Sequence, residues 1–186
     1  MRRQIDNKTL ITVGIMTVVI TLLTCLLRIE LSFLRNGQDA GVFISLGDVG
    51  LYIAYMLLGA PWAAVCGAVG TALGEIIVGS AVYAPLSLVL RPLMVVTAHI
   101  FLKNDTSWSG VIKGVGFASA VMVLGSFIYN LVILTSYSVA ALSLPLHLLQ
   151  SLACSLIAAP ILKLVGRKSG SDSSFPEVPP TRRNLK

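Results

Sequence analysis

The chain has 186 residues, 55% of them hydrophobic and only 12% charged, with a formal net charge of +6 and a mean hydropathy of +0.86. Soluble domains carry about 25% charged residues, so this composition excludes an ordinary water-soluble core. The cations gather toward the two ends, where in a membrane chain they set topology and meet anionic lipid, so the charge gives no reason to expect a nucleic-acid partner.

A spanning helix needs about 20 mostly apolar residues, and the stretch from Thr9 to Leu162 has room for six with short connections. The expected fold is an all-α integral membrane protein, a six-transmembrane-helix bundle. Its expected organisation is a cytoplasmic N-terminal tail over 1–8, a membrane domain over 9–165, and a disordered cytoplasmic tail over 166–186 that is rich in Ser, Pro and charge.

The first span, Thr9–Leu27, follows Arg2, Arg3 and Lys8 but is too long for a secretory h-region, and no small-residue cleavage site precedes Arg28. It carries Gly14, Thr17, Thr21 and Thr24 at three- and four-residue spacing. Such a small, weakly polar stripe suits either an internal helix seam or a docking face for another membrane subunit. Arg28–Gly41 then reads as an external loop, with 34–46 long enough to act as a lid.

The second span is placed at Val42–Leu58 and the third at Pro61–Val78, joined by so short a break at Gly59, Ala60 and Pro61 that the two form a tight hairpin. The third span is dense in Gly and Ala, as close-packed membrane helices are. The fourth, fifth and sixth spans follow at Ala84–Leu102, Val111–Leu134 and Val139–Leu164. With the N-terminus inside, Lys103, Lys113, Lys163, Arg167 and Lys168 fall on the cytoplasmic side, and the outside receives only Arg28 and Arg35. Both termini are therefore expected in the cytoplasm of a multi-pass cell-membrane protein. Cys25, Cys66 and Cys154 lie in apolar segments without metal-ligand spacing and read as packing residues, so no metal site is expected.

Ionisable side chains inside a membrane are costly, roughly 2.5–3.5 kcal/mol each near the centre on insertion scales, and tend to face a cavity or a partner. Here they are Asp48, Glu75, Arg91 and His147, with Asn130 and Gln150 as further polar members. Counting residues from the expected span ends at 1.5 Å each places all six in the outer half of the bundle. This describes a polar pocket open to the outside. Phe43, Tyr52, Tyr83, Tyr129 and Tyr137 lie at suitable depth to stack on a flat ligand. Structural readings stand beside this one: Glu75 and Arg91 as an ion pair, Asp48 as a helix cap, His147 bonded to a backbone carbonyl, the tyrosines as an interfacial belt.

No GxxxxGK[ST] loop, HExxH or paired-Asp motif is present, so no nucleotide-hydrolysing or metal-assisted enzyme is expected. The stretch FISLGDVGLYIAYMLLGAPWAAVCGAVGTALGEIIVGSAVYAPLSLVLRPLMV, Phe43 to Val95, and AALSLPLHLLQSLACSLIAAPILKLV, Ala140 to Val165, resemble the substrate-binding S components of energy-coupling factor (ECF) vitamin transporters. Leu46-Gly47-Asp48, Glu75, Tyr83-Ala84-Pro85 and Arg91 stand at the motif positions. The chain departs from the family pattern in the first helix, where an AxxxA docking motif is replaced by Gly14, Thr17, Val18 and Thr21, and at Glu75, where Asp is frequent.

The resemblance implies a subunit that binds a small water-soluble vitamin or precursor from outside. It further implies association with a membrane coupling protein and two ATPase subunits, which use the ATP; no cofactor is expected in this chain. The residues expected at substrate are Asp48, Glu75, Tyr83, Arg91, Tyr129, Asn130, His147 and Gln150, and those expected at the docking face are Gly14, Thr17 and Thr21. A structural or assembly membrane protein, or an ion-coupled carrier of a small solute, are the competing readings; six short spans without inverted repeats fit the last poorly.

Overall fold

A computed structural model describes residues 7–35, 38–103, 105, 107–133 and 137–169. Most of the two expected tails, 1–6 and everything from 170 onward, lies outside the described residues. The elements run α1 (Asn7–Leu26), β1 (Arg28–Arg35), β2 (Gln38–Ser45), α2 (Gly47–Leu58), α3 (Ala60–Ile77), a single 3-10 turn at Ala81–Tyr83, α4 (Ala84–Leu102), α5 (Trp108–Val132) and α6 (Tyr137–Ser169). Among the described residues six α-helices form the bundle, and α1, α3, α4, α5 and α6 are long and apolar enough to cross a membrane.

Two expectations change. The second span does not begin at Val42: Val42–Ser45 belong to β2, and α2 has only 12 residues. At 1.5 Å per residue it is about 18 Å long, well short of a hydrocarbon core about 30 Å thick. The expected external loop is an antiparallel hairpin, with Arg28 opposite Ser45 and Arg35 opposite Gln38. Ile29, Leu31 and Phe33 alternate with Arg28, Glu30 and Ser32, a period-two pattern that suits a strand and cannot continue a helix stripe.

Local chemistry sets the helix boundaries. Pro61 and Pro85 stand in the first turns of α3 and α4, where a missing N–H costs nothing. Ser107 caps α5, its Oγ accepting from the Gly110 amide at 3.3 Å. Gly59 joins α2 to α3 at φ 77°, a left-handed conformation that residues with a Cβ rarely adopt.

Packing places α1 against α2 and α3, α3 against α4, α4 against α5, α5 against α6, and α2 between α3 and α6. Ile20, Leu51, Ala63, Met94, Val111 and Ala118 are among the fully buried core residues, while Ile15, Val89, Ile100, Ile128 and Leu156 point outward toward lipid.

The α1–α3 seam explains the small residues of both helices. The Thr21 hydroxyl donates to the Gly70 carbonyl at 3.0 Å, and a Cβ placed on Gly70 would stand 2.8 Å from the Thr17 carbonyl oxygen. Thr17 and Thr21 are half-buried on this internal seam, whereas Gly14 is exposed with open space around it. In lipid this close approach, rather than hydrophobic exclusion, holds the helices together.

Candidate functional site

The hairpin enters the bundle through its last residue. The Ser45 amide donates to Gln150 Oε1 at 3.1 Å, and Gln150 Nε2 donates to Asp48 Oδ2 at 3.0 Å. Asp48 Oδ1 in turn pairs with Arg91 Nη1, the two side chains being 3% and 5% exposed. A continuous polar chain therefore ties β2, α6, α2 and α4 together inside the membrane domain. At the hairpin's other edge, Arg28 donates through Nη2 to Ser80 Oγ at 2.6 Å, linking β1 to the turn after α3.

This arrangement redistributes the expected roles. Asp48 is no cap: it sits in the first turn of α2, and the N-cap position is Leu46, which makes no side-chain cap bond. Its carboxylate still lies at the positive end of α2, where a negative charge is favoured. Arg91 is paired with Asp48 rather than with Glu75. Glu75, buried on α3, accepts from the Ser87 hydroxyl at 2.7 Å through Oε1.

A small cavity opens beside these groups, lined by Glu75, Tyr83, Ser87, Arg91, Ser126 and His147 together with Leu86, Leu90 and Met122. Its volume of ≈ 20 Å³ is close to the room that a single water requires. Glu75, Arg91 and His147 are all buried, so three groups read from the sequence as one cluster do meet at one cavity.

The other expected residues divide. Tyr83 lines the cavity, and its ring lies 6.1 Å from that of Tyr129, whose hydroxyl donates to the Val82 carbonyl. Asn130 is buried but donates through Nδ2 to Ser143 Oγ at 2.9 Å, joining α5 to α6 beside the cavity rather than lining it. Gln150 is committed to Ser45 and Asp48. Of the remaining aromatic residues, Tyr52 is buried on α2 and Tyr137 is exposed; the Phe43 side chain lies outside the described residues.

Ser45, Ser87, Ser126 and Met94 were not anticipated. Ser87 precedes Arg91 by four residues and Met94 follows it by three, so helical spacing alone puts both on the arginine's face. Met94 Sδ accepts from Arg91 Nη1 at 3.3 Å. Ser126 precedes Asn130 by the same four residues. Serine is common enough in membrane helices that such spacing carries little signal unless it is read relative to a charged residue.

Helices that bury an ion pair and a serine-bonded carboxyl group at the end that carries the β-hairpin form a membrane bundle with a polar interior at one end. The chain superposes on a solved protein described as "Structure and mechanism of the S component of a bacterial ECF transporter", with a TM-score of 0.64 over 89% of this chain and 96% of that one, at 20% sequence identity. The family model "ECF-type riboflavin transporter, S component" matches residues 4–167, so the chain belongs to that family. It is a substrate-binding subunit of a vitamin transporter, carried on several membrane-crossing helices. No curated protein matches the chain.

Proposed function

We propose that the chain captures a small, water-soluble, heteroaromatic vitamin or vitamin precursor from outside the cell and delivers it inward. Delivery would proceed through a complex with a membrane coupling protein and two ATPase subunits that supply the energy. The observation that carries the reading is the cavity at the hairpin end, where buried Glu75, Arg91 and His147 converge with Tyr83. Buried polar groups held together in a membrane are expensive unless they serve a partner.

Orientation follows from the cations. Arg28 and Arg35 flank the hairpin, whereas Lys103, Lys113 and Lys163 lie toward the opposite end, a distribution that supports a reading with the hairpin outside and both termini in the cytoplasm. A cavity of ≈ 20 Å³ is far smaller than the roughly 300–1,000 Å³ of small-molecule sites. Capture therefore requires the hairpin, α6 and the Tyr83–Tyr129 rim to move apart, with the hairpin acting as a lid. Partner docking is assigned to the exposed side of α1 around Gly14.

Mass spectrometry of ligand released from the purified full-length chain tests the capture reading, and the family makes riboflavin the first compound to seek. Retention of a heteroaromatic vitamin supports it. A chain that neither retains nor binds any vitamin-like compound is instead a structural membrane protein whose Ser45–Gln150–Asp48–Arg91 chain only fixes helix registry. Uptake into cells that lack a functional ATPase partner would point to an ion-coupled carrier.

A further inference from the structure

The cavity is bordered by three side chains, Glu75, Arg91 and His147, that each retain a hydrogen-bonding atom without a partner among the described residues, and those of Glu75 and Arg91 are of opposite kind. Glu75 uses Oε1 to accept from Ser87, while Oε2 has no partner among the described residues. Arg91 directs Nη1 to Asp48 and to Met94 Sδ, while its Nε has no partner among them. Glu75 is 3% and Arg91 4% exposed, so neither atom has bulk water as a substitute. Buried polar groups are nearly always satisfied, and each exception calls for a reason. Glu75 Oε2, Arg91 Nε and His147 Nδ1 are three such exceptions on residues of one cavity.

Charge narrows the choice of ligand. Asp48 already neutralises Arg91, so the arginine is not a free counter-charge for a carboxylate or a phosphate. An anionic group placed in this cavity would meet the Glu75 carboxyl, with Arg91 already paired to Asp48 and Arg28 already bonded to Ser80. His147 and Tyr83 are the other titratable groups on the cavity wall, and neither adds a fixed cation.

We infer that Glu75 and Arg91 select the ligand through a planar donor–acceptor edge: a ligand N–H donates to Glu75 Oε2, and an adjacent carbonyl or ring nitrogen accepts from Arg91 Nε. Lactam, imide and aminopyrimidine edges have this pattern; carboxylates and phosphates do not. The inference rests on the capture reading and adds to it the chemical feature that is recognised. Glu75 is thereby a specificity-determining residue, and Asp48 a positioning residue that acts through Arg91.

The test compares ligands that differ only in the donor. Titration calorimetry on the full-length chain in lipid nanodiscs uses riboflavin against riboflavin methylated at its imide nitrogen, and an aminopyrimidine alcohol against its dimethylamino counterpart. For whichever parent binds, methylation is expected to weaken binding about ten- to a hundredfold, the range for losing a hydrogen bond to a charged group. In Glu75→Met the parent should fall to the level of the methylated compound, so that the ratio between them collapses toward one; a merely structural role would lower both together. Equal binding of parent and methylated compound by the unaltered chain overturns the inference, as does failure of both parents to bind. A chain that releases a ligand lacking such an edge keeps the capture reading and overturns this one. Release of no ligand, with no binding, removes both.

Discussion

Asp48→Ala removes the partner of a charge that has nowhere else to go. Arg91 and Asp48 are 5% and 3% exposed in their side chains, and stripping one member from a buried pair typically destabilises by about 3–5 kcal/mol because the other charge is left uncompensated. Gln150 Nε2 loses its acceptor as well, which keeps the effect at the upper end without adding independently. For a chain of this length about 1 kcal/mol moves the midpoint by roughly 2–4 °C, so the expected fall is about 6–20 °C. The assay is thermal unfolding of the purified chain in detergent micelles, followed by tryptophan fluorescence and near-UV dichroism. The companion variant Asp48→Leu with Arg91→Met replaces the pair by apolar groups of similar size and is expected to regain most of the loss, while losing ligand binding. A single-variant loss below about 1 kcal/mol, or a double variant as unstable as the sum of its parts, would refute the reasoning, since either result means that the pair is not truly desolvated.

Gln150→Leu deletes both the acceptor of the Ser45 amide and a donor to Asp48; amide exchange at Ser45 should quicken about five- to tenfold while amides in the middle of α5 stay unchanged. Gly70→Val drives a side chain into the Thr17 carbonyl across the α1–α3 seam and should destabilise by about 1–3 kcal/mol in the same unfolding assay. Gly14→Leu faces open space, so stability should change by no more than about 0.5 kcal/mol, while co-purification with the coupling protein should weaken. In the α4–α5 turn the Ser107 side chain and amide hold the Asp105 carboxyl below its ordinary value of 3.8. The folded-state value being the lower one, this contribution is full above the ordinary value and is lost as pH falls through the folded one. Carbon-detected NMR of Asp105 checks it, and a midpoint at or above 3.8 would remove the interaction.

The helical part of the fold was legible because a membrane span announces itself by length and lack of charge. Every expected span except the second matches an observed helix to within a few residues. The second failed because Val42–Ser45 are as apolar as a helix start, and hydropathy does not distinguish a buried strand from a helix over four residues. Alternation in Ile29, Leu31 and Phe33 was the available sign of the hairpin. The cluster of Glu75, Arg91 and His147 was readable because depth along a span follows from residue count. Which charge pairs with which was not: Asp48, Glu75 and Arg91 are at similar depth, and only the lateral arrangement of α2, α3 and α4 assigns the arginine to Asp48. Likewise, that Gln150 serves the hairpin rather than the cavity depends on Ser45, a residue whose amide takes part and whose side-chain type therefore gives no signal.

The brevity of α2 decides how its first turn is held. Because Gly59 joins α2 to α3 at one end, the whole shortfall in length appears at the other. A Cβ on Gly47, the first residue of α2, would meet Thr24 of α1 first and Thr71 of α3 next, two residues before α1 ends at Leu26 and six before α3 ends at Ile77. The positive end of α2 is therefore flanked by α1 and α3, and the chain enters it from the last strand of the hairpin. Because a strand stands where a full-length span would have continued, the Ser45 amide bonds a side chain of α6 instead of a carbonyl of its own helix, and the start of α2 is anchored to a neighbour.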